Sequence, residues 1–307
     1  MSKVLQYFKA LADETRLRLL LVLYRYEMNV NELVELMGMG QSRISRHLKI
    51  LSSAGLLESR RDGLWVFYSL AGGQPSRKFI DAVYPFLAAE GFAAEDLALA
   101  AGILEERAAR TSRFFNSIAE DWDAMSREVL GSFNLPLAVE ARMPLPCAVA
   151  ADLGCGTGIV LERLLSRAEQ VIGVDGSARM LELARRRFSG VGERLSLRIG
   201  DLAHLPLRDG EADFICINLV LHHLSEPQAA LLEVKRVLKP GGILLISEFD
   251  RHNEESLRTD YGDLWLGFDA EALERFLLRA GFKLASSTSH PVEKGLHIHI
   301  FQARPNA

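Results

Sequence analysis

The sequence contains few cysteines and no long apolar run. Its 307 residues include three cysteines, Cys147, Cys155 and Cys216, and no two of them form a C-x-x-C pair. This spacing argues against a disulfide framework and against a structural zinc site. No apolar stretch reaches the roughly 18 residues that a membrane-spanning helix needs, and no signal-peptide pattern is present. We therefore expect a cytoplasmic protein with no membrane partner.

An excess of positive charge is lacking outside the N-terminal part of the chain. Residues 1–72 carry ten Lys and Arg against seven Asp and Glu, whereas the remainder carries 26 against 33. The formal net charge is −4, so the protein is acidic with one basic end. This asymmetry predicts a polyanionic partner at the basic end only. The length and the composition favour two globular domains.

Residues 148–164, AVAADLGCGTGIVLERL, predict a buried strand, a tight glycine turn and the start of a helix. Backbone N–H groups at such a turn face a ligand, and Gly154, Gly156 and Gly158 allow its close approach. A P-loop would continue with Lys and Ser or Thr, but Ile159 follows here. The dinucleotide fingerprint is G-x-G-x-x-G, whereas this loop reads G-x-G-x-G. The pattern therefore argues against a nucleotide phosphate.

Three further predicted strands end at polar residues. The next strand ends at Asp175, 21 residues after Gly154, an offset that suits a carboxylate bonded to two ribose hydroxyls. An alternating strand ends at Asp201, and a buried apolar strand ends near Asn218. The position of Asp175 therefore favours a ligand with a ribose. The alternative is a Rossmann-like fold that binds an unrelated ligand.

The motif D-L-G-C-G-T-G resembles the first motif of class I S-adenosylmethionine (SAM)-dependent methyltransferases, and L-K-P-G-G-I-L-L-I resembles a later hallmark of that family. The resemblance implies a multi-domain chain whose residues 114–307 form an α/β Rossmann-like domain. Its seven-stranded sheet would have the order 3-2-1-4-5-7-6, with the seventh strand antiparallel. The implied ligand is SAM or its demethylated product, S-adenosylhomocysteine (SAH), without a metal. The implied cofactor-binding residues are Trp122, Asp152, Gly154, Cys155, Gly156, Gly158, Asp175, Gly176, Met180, Asp201, Leu202, Asn218 and His223.

Several side chains near the expected pocket have two interpretations. Trp122 either walls the pocket or simply packs in the core. His222 and His223 are weak catalytic candidates, as a general base or a substrate contact, and a structural role is the more common one. His297 and His299 alternate on one face of the last predicted strand. No third candidate metal ligand can be recognised from its spacing in the sequence, so we expect no metal there.

The N-terminal part predicts a winged helix-turn-helix, mostly helical with a β-hairpin wing. A helix over residues 42–54 has Ser42 as its expected N-cap and Gly55 just after its end. Strands over 56–60 and 65–70 are joined by R-D-G-L, a sequence typical of tight hairpins. A helix, a tight turn, a second helix and a basic hairpin together favour DNA recognition.

The predicted recognition helix has one apolar face and one polar face. We expect Ile44, Leu48, Ile50 and Leu51 to be buried. Between residues 40 and 61 there are five basic residues and one acidic residue. These side chains suit base edges and phosphates in a major groove, although a merely solvated face is the alternative. The expected DNA-binding residues are Gln41, Ser42, Arg43, Ser45, Arg46, Lys49, Arg60 and Arg61.

The segments LADETRLRLLLVL, QSRISRHLKILSSAGLL and RRDGLWVFYSL closely resemble the ArsR family of winged-helix repressors, across residues 3–72. The resemblance implies a homodimer that reads a palindromic operator in double-stranded DNA. The implied interface comprises residues 2–12 and 77–89, although the latter could pack within its own chain. Metal-sensing members carry cysteine on the helix before the recognition helix. This chain has N-E-L-V-E-L there, so a soft metal is not the expected signal.

The combination leaves two functions open. We expect residues 1–72 to bind DNA and residues 73–113 to form a helical dimerisation and connector region. The favoured function is a transcriptional repressor with SAM or SAH as effector, similar to SAH-responsive regulators of methionine-cycle genes. The alternative is an active methyltransferase of a small molecule, and a purely structural dimerisation module is a third option. No N-P-P-Y or D-P-P-Y segment or set of active-site cysteines indicates a methyl acceptor.

Overall fold

The computed structural model describes residues 2–62 and 64–306. Gly63, at the tip of the expected hairpin, lies outside the described residues. The chain divides into two compact units, Met1–Arg107 and Ala108–Ala307. The division falls within the expected connector, residues 73–113.

The first unit is mostly helical and contains a small antiparallel sheet of order β1-β3-β2. Its last helix, α6, continues into the second unit. The elements in chain order are α1 Lys3–Leu11, α2 Glu14–Arg25, β1 Met28–Asn29, α3 Val30–Met37, α4 Gln41–Ala54, β2 Leu57–Asp62, β3 Trp65–Leu70, α5 Gln74–Leu87 and α6 Ala93–Ile118.

Local sequence sets the ends of the two central helices. Asn29 and Glu32 form a capping box at the start of α3, and Gly38 ends this helix in the left-handed conformation. The expectation that Ser42 caps α4 is wrong, because the helix begins one residue earlier with Gly40 at the N-cap position. Glycine is acceptable there although it offers no side-chain acceptor. Gly55 ends α4 with a φ of 77°, as the sequence predicted.

The core of the first unit lies between α2, α4 and the sheet. The side chains of residues 19–23 in α2 are all buried, together with Ile44, Leu48 and Leu51 of α4. Ile50 was expected in this core but is 37% exposed, because it lies on the outer flank of α4. The α4 helix thus keeps one buried face and leaves its other face free for contacts.

Two ion pairs fasten the first half of α6 within this unit. Arg18 donates two hydrogen bonds to the buried Asp96 carboxylate, at 2.8 and 2.7 Å. Arg107 donates to both oxygens of Glu32, at 2.8 and 2.6 Å. Charged, bidentate pairs with one buried partner are strong and directional. Since Glu32 also caps α3, α6 is bonded to the helix that precedes the recognition helix.

The second unit is an α/β domain. Besides the end of α6, its elements are α7 Trp122–Leu130, α8 Leu135–Glu140, β4 Cys147–Leu153, α9 Leu161–Leu165, β5 Ala168–Asp175, α10 Ala178–Arg187, β6 Leu195–Ile199, β7 Ala212–Asn218, α11 Pro227–Val237, β8 Leu238–Phe249, α12 Ser256–Asp260, α13 Ala270–Arg279, β9 Phe282–Pro291 and β10 His297–Pro305.

These strands form a seven-stranded sheet of order β6-β5-β4-β7-β8-β10-β9. Numbered within the domain, this is the expected order 3-2-1-4-5-7-6. The first five strands pair in parallel, and β10 pairs antiparallel with both β8 and β9. The prediction of the sheet is confirmed. No helix in the described parts of the chain is long and apolar enough to cross a membrane.

Candidate functional site

Four parallel strands end side by side at one edge of the large sheet. They are adjacent in the order β6-β5-β4-β7, and their register pairs Asp175 with Ile199 across β5 and β6. In open α/β sheets, ligands bind in the crevice outside the carboxyl ends of the strands. At this edge the glycine loop follows β4, and Asp201 follows β6. Asp175 and Asn218 are the last residues of β5 and β7.

The loop after β4 has a backbone that only glycine allows. Gly154, Gly156 and Gly158 adopt φ values of 77°, 52° and 89°. A Cβ on Gly154 would lie 2.4 Å from Val220, and a Cβ on Gly158 would lie 2.6 Å from Phe188. Conformation and packing therefore both require glycine at these two positions.

Asp175 holds this loop from the end of β5. Its Oδ2 accepts a hydrogen bond from the Gly156 N–H at 2.8 Å, and its Oδ1 accepts one from the Ser177 N–H at 2.7 Å. Burial raises the pKa of the Asp175 carboxyl, and the two N–H donors oppose that rise. Each carboxylate oxygen has a second lone pair, so Asp175 can also accept hydrogen bonds from a diol.

A chain of buried polar side chains crosses the strands next to the loop. The Ser247 hydroxyl donates to Asn218 Oδ1 at 3.0 Å, and Asn218 Nδ2 donates to Asp152 Oδ1 at 3.2 Å. The Cys216 thiol donates to the same Asp152 oxygen at 3.3 Å. Burial raises the pKa of Asp152 to about 7, although the Cys216 and Asn218 hydrogen bonds oppose the rise. Asp152 therefore changes charge near neutral pH.

The other expected cofactor residues differ in accessibility. The side chains of Cys155, Met180 and Leu202 are buried. Gly176 and Asp201 are exposed, and Asp201 Oδ1 accepts a backbone hydrogen bond from the loop that follows it. A ligand at this edge can therefore meet the Asp201 carboxylate directly, whereas the Cys155 thiol points into the core.

The second half of α6 is bonded to the turn that follows β5. The Ser112 hydroxyl donates to the Gly176 carbonyl at 3.0 Å. Asn116 Oδ1 accepts hydrogen bonds from the Ser177 hydroxyl at 2.8 Å and from the Arg179 N–H at 3.1 Å. The end of α6 is thus fixed to the turn that Asp175 also holds.

Helix α7 is fastened to the glycine loop. Asp123 accepts a hydrogen bond from the Thr157 hydroxyl and pairs with Arg187. Arg187 also donates to the Thr157 carbonyl at 3.0 Å. A Cβ on Gly156 would reach the Trp122 indole at 3.6 Å, so the tryptophan lies directly over the loop. This helix closes one side of the crevice.

A small cavity of about 30 Å³ lies within the second unit. Leu219, in its wall, adopts a φ of 57°, which non-glycine residues rarely do. Backbone strain of this kind is concentrated at functional sites. The cavity is apolar on most sides and polar at one end, and it is lined by Trp122, Ser126, Val129, Leu130, Leu219, His222, His223, Phe249, Leu257, Tyr261 and Asp263.

His222 and His223 are buried at the polar end of the cavity. His222 Nδ1 lies 2.5 Å from Glu248 Oε1, which also accepts the Phe249 N–H at 2.7 Å. Burial lowers the pKa of His222 to about 3 and raises the pKa of Glu248 to about 7. The imidazole is therefore neutral at physiological pH, and its Nδ1–H donates to Glu248.

In the first unit, the expected DNA-contacting side chains lie on the outer face of α4 and on β2. Arg60 is half-buried, 3.5 Å from Glu27, and stacks over the Phe67 ring at 5.4 Å. Arg60 thus has partners inside its own unit. The exposed members are Gln41, Ser42, Arg43, Ser45, Arg46, Lys49 and Arg61.

Two family descriptions match the chain. "Bacterial regulatory protein, arsR family" matches residues 13–59, and "Methyltransferase domain" matches residues 151–246. The chain belongs to the methyltransferase-domain family and carries an arsR-family domain at its N-terminal end. The fusion that the motifs indicated is confirmed.

Curated relatives share part of this chain. An uncharacterized 37.1 kDa transposon protein of Streptomyces fradiae is 42% identical over 41% of this chain. Demethylmenaquinone methyltransferases of Lactiplantibacillus plantarum and Clavibacter sepedonicus are 33% and 30% identical, over 47% and 57% of it. The chain spans 36%, 64% and 71% of these three proteins.

Solved structures share the fold at low identity. The [4+2]-cyclase SpnF has a TM-score of 0.55 at 20% identity, with 64% of this chain and 95% of that one covered. A chain from the complex of the Trm112 activator and a methyltransferase of Haloferax volcanii has a TM-score of 0.52 at 20% identity, covering 62% and 98%. These likenesses concern the fold alone, and the fold by itself does not fix a reaction.

Sequence reasoning missed three residues of the methyltransferase domain. Glu248 carried a visible signal, since an acid that ends an apolar strand is unusual. Asp263 and Asn116 carried none, because their partners are far away along the chain. Asn116 lies in α6 beyond residue 113, in the part of the chain that the sequence assigned to the methyltransferase-like domain without giving this residue a role.

Proposed function

We propose that the protein is a DNA-binding transcriptional repressor whose methyltransferase domain binds SAM or SAH as an effector. The observation that supports ligand binding is the position of Asp175. This residue ends β5 and holds the glycine loop by accepting a hydrogen bond from the Gly156 N–H. A carboxylate beside a glycine loop at a sheet edge suits the ribose diol of an adenosyl ligand. The proposed contacts include Asp201, Asn218 and the backbone of the loop.

The outer face of α4 supports the proposal that the protein binds DNA. Arg43, Arg46 and Lys49 are exposed, and no acid lies between them on this helix. Arginine and lysine bind phosphates, and arginine can read guanine in the major groove. Since a single helix reads only one half-site, we propose a homodimer on a palindromic operator.

The proposed dimer interface comprises residues 2–12 and 77–89. Apolar side chains of α1 and α5 are exposed there, although Ile80 and Leu87 pack inside their own unit. Exposed large apolar groups clustered on helices mark association surfaces. The exposed members are Val4, Leu5, Phe8 and Phe86.

Helix α6 provides a path for coupling between ligand and DNA. Residues 93–107 are bonded to the arsR-family domain through Arg107 and Glu32, and the later Asn116 is bonded to the turn after Asp175. A ligand that alters this turn would therefore act on the same helix that holds α3. If the ligand changes the DNA affinity tenfold, the coupling free energy between the two sites is about 1.4 kcal/mol. We propose SAM-cycle genes as targets, because such a repressor would respond to their product.

A titration distinguishes a repressor that responds to SAM or SAH from a protein that only binds DNA. An operator selected from a random DNA pool is titrated with the full chain, alone and with SAM or SAH. We expect at least one of the two to change the DNA affinity by about tenfold or more. An affinity unchanged by both ligands contradicts the effector role. Arg43→Ala and Arg46→Ala should each weaken DNA binding and lower the salt dependence by about one charge, with Arg185→Ala as an exposed control.

Methyl transfer is the second candidate function, and the cavity beside His222 favours it. Two relatives at 30–33% identity are named demethylmenaquinone methyltransferases. The cavity is mostly apolar, and a small acceptor would enter it only if the lining side chains moved apart. Incubation with SAM labelled on its methyl group and a panel of small phenols and quinols tests this. Transfer of the labelled methyl group to any of these acceptors would favour the enzyme. No transfer by protein that still binds SAM would favour the regulator.

A further inference from the structure

Four titratable side chains are buried together at the polar end of the cavity. His222 is 2% exposed, His223 6%, Asp263 5% and Glu248 is fully buried. Burial of so many polar groups costs free energy unless partners compensate for the lost water. The sequence motifs do not account for this cluster, because neither Glu248 nor Asp263 is among the residues that they assign to the ligand.

The cluster is organised around one oxygen of Asp263. His222 Nε2 lies 3.6 Å from Asp263 Oδ1, and His223 Nδ1 lies 3.8 Å from the same atom. One nitrogen of each histidine and one oxygen of Asp263 all fall within 4.8 Å of one another. These separations are too long for good hydrogen bonds, which lie nearer 3 Å. The three side chains converge without bonding directly.

A second observation points to a missing partner. His223 Nε2 is buried and has no hydrogen-bond partner among the described residues. Its Nδ1 lies 3.3 Å from the Gly262 carbonyl, so the proton belongs on Nδ1 and Nε2 keeps its lone pair. A buried nitrogen lone pair in the wall of a cavity is a site for a donor or for a cation.

We propose that His222, His223 and Asp263 bind one divalent transition-metal ion of the zinc type. Two ligands of a tetrahedral ion, each about 2.1 Å from it, lie roughly 3.4 Å apart. The 3.6 Å from His222 Nε2 comes within a small side-chain shift of that value, whereas the 3.8 Å contact of His223 involves Nδ1, so the His223 ring has to turn to bring its Nε2 to the ion. Imidazole and carboxylate together suit zinc, cobalt or nickel, whereas magnesium and calcium prefer oxygen alone.

Glu248 completes the proposed site from outside. It accepts the Nδ1–H of His222, which leaves Nε2 of that ring directed towards Asp263. A carboxylate that orients the far nitrogen of a ligating histidine is the usual arrangement around zinc. Three protein ligands leave one position of the ion open, and here it borders the cavity. That position would take an oxygen or nitrogen donor of a small ligand.

The sequence predicted no metal because the third ligand is distant along the chain. His222 and His223 are adjacent, whereas Asp263 reaches them only because the Leu264 and Trp265 N–H groups bond the His222 carbonyl, at 2.9 and 3.0 Å. The proposed metal site is inferred from these contacts alone and does not depend on the proposed regulatory function. It differs from the soft-metal site whose cysteines the arsR-family domain lacks.

Metal binding by the full chain tests the inference. Protein treated with a chelator is titrated with zinc chloride against a chromophoric competitor, and cobalt chloride is added separately. We expect one zinc per chain with micromolar or tighter affinity, and visible cobalt bands typical of a tetrahedral nitrogen and oxygen site. His223→Gln and Asp263→Asn should each weaken zinc binding at least tenfold. His299→Gln is the matched control, because this histidine also lies near a carboxylate, 3.7 Å from Asp250.

Each outcome bears on the proposal. Failure of the wild-type chain to bind zinc or cobalt overturns it. So does binding that His223→Gln and Asp263→Asn leave unchanged, since the metal would then lie elsewhere. Far-UV circular dichroism identifies a variant that does not fold, and His223→Ala then replaces it. Binding that is lost in both site variants and retained in His299→Gln supports the site.

Discussion

Asp175 has two tasks at the residue scale, since it holds the glycine loop and offers lone pairs at the ligand edge. In Asp175→Asn the new amide NH2 would face one of the two N–H groups, of Gly156 or of Ser177, that the carboxylate now accepts, and one acceptor would be lost. We expect the affinity for SAM and SAH to fall at least tenfold, or about 1.4 kcal/mol. Calorimetric titration measures the change. Glu271→Gln, an exposed acid of the same unit, should bind normally, and equal loss in both variants would contradict the assignment.

We expect Asp152 to give the proposed preference between SAM and SAH a pH dependence. Because burial raises the pKa of this carboxyl to about 7, it is mostly neutral at about pH 6 and mostly ionised at about pH 8. SAM carries a positive sulfur that SAH lacks, so the ionised form should favour SAM. We expect the ratio of SAM affinity to SAH affinity to increase over this range.

Paired titrations of both ligands at each pH measure that ratio. The Asp152→Asn variant cannot ionise and should give a ratio that does not change with pH. A wild-type ratio that is equally flat would show that the carboxylate does not act on the sulfur.

At the scale of elements, two glycines with different surroundings should respond in opposite ways. Gly102 lies inside α6, and a Cβ added there would meet nothing within 4 Å, so Gly102→Ala should stabilise the helix by about 1 kcal/mol. Gly154 has a φ of 77°, and a Cβ there would lie 2.4 Å from Val220. Gly154→Ala should therefore destabilise the second unit by several kcal/mol.

Thermal unfolding of the full chain measures both substitutions. We expect Gly102→Ala to raise the midpoint of its transition and Gly154→Ala to lower the midpoint and to abolish ligand binding. If Gly154→Ala bound SAM normally, the tight path of the loop would be unnecessary for the ligand.

The elements also show where periodicity predicts structure and where it fails. The apolar positions of α4 predicted Ile44, Leu48 and Leu51 in the core, and all three are buried. Ile50 satisfied the same criterion of hydrophobicity but lies at the flank, because nothing from its unit covers that side. Ser42 matched the composition of an N-cap, but helix α4 already begins at Gln41. A helix boundary depends on the turn before it as well as on residue type.

At the scale of the whole molecule, α6 is the element shared by the two units, and its stiffness is open to test. Ala108 and Ala109 stand where the units divide. Ala108→Gly with Ala109→Gly should weaken the helix there by roughly 2 kcal/mol in sum. We expect DNA affinity and SAH affinity to persist separately while the effect of SAH on DNA affinity is lost.

The same gel-shift titration, with and without SAH, measures this loss of coupling. Gly102→Ala serves as its counterpart, because it strengthens the same helix and should retain the response. A double-glycine variant that responds as fully as the wild type would rule out α6 as the connection.

The sequence alone determined the glycine loop and the polar ends of the strands, because these features stand at short, fixed spacings, and the resemblance to the methyltransferase family supplied the order of the sheet. It also determined the polar outer face of α4, since helical periodicity separates that face from the core. Only the tertiary structure brought Asp263 to His222 and His223, and only folding turned Asn116 towards the turn after β5. Contacts between residues that are far apart along the chain leave no periodic trace, because their geometry exists only after the sheet has formed.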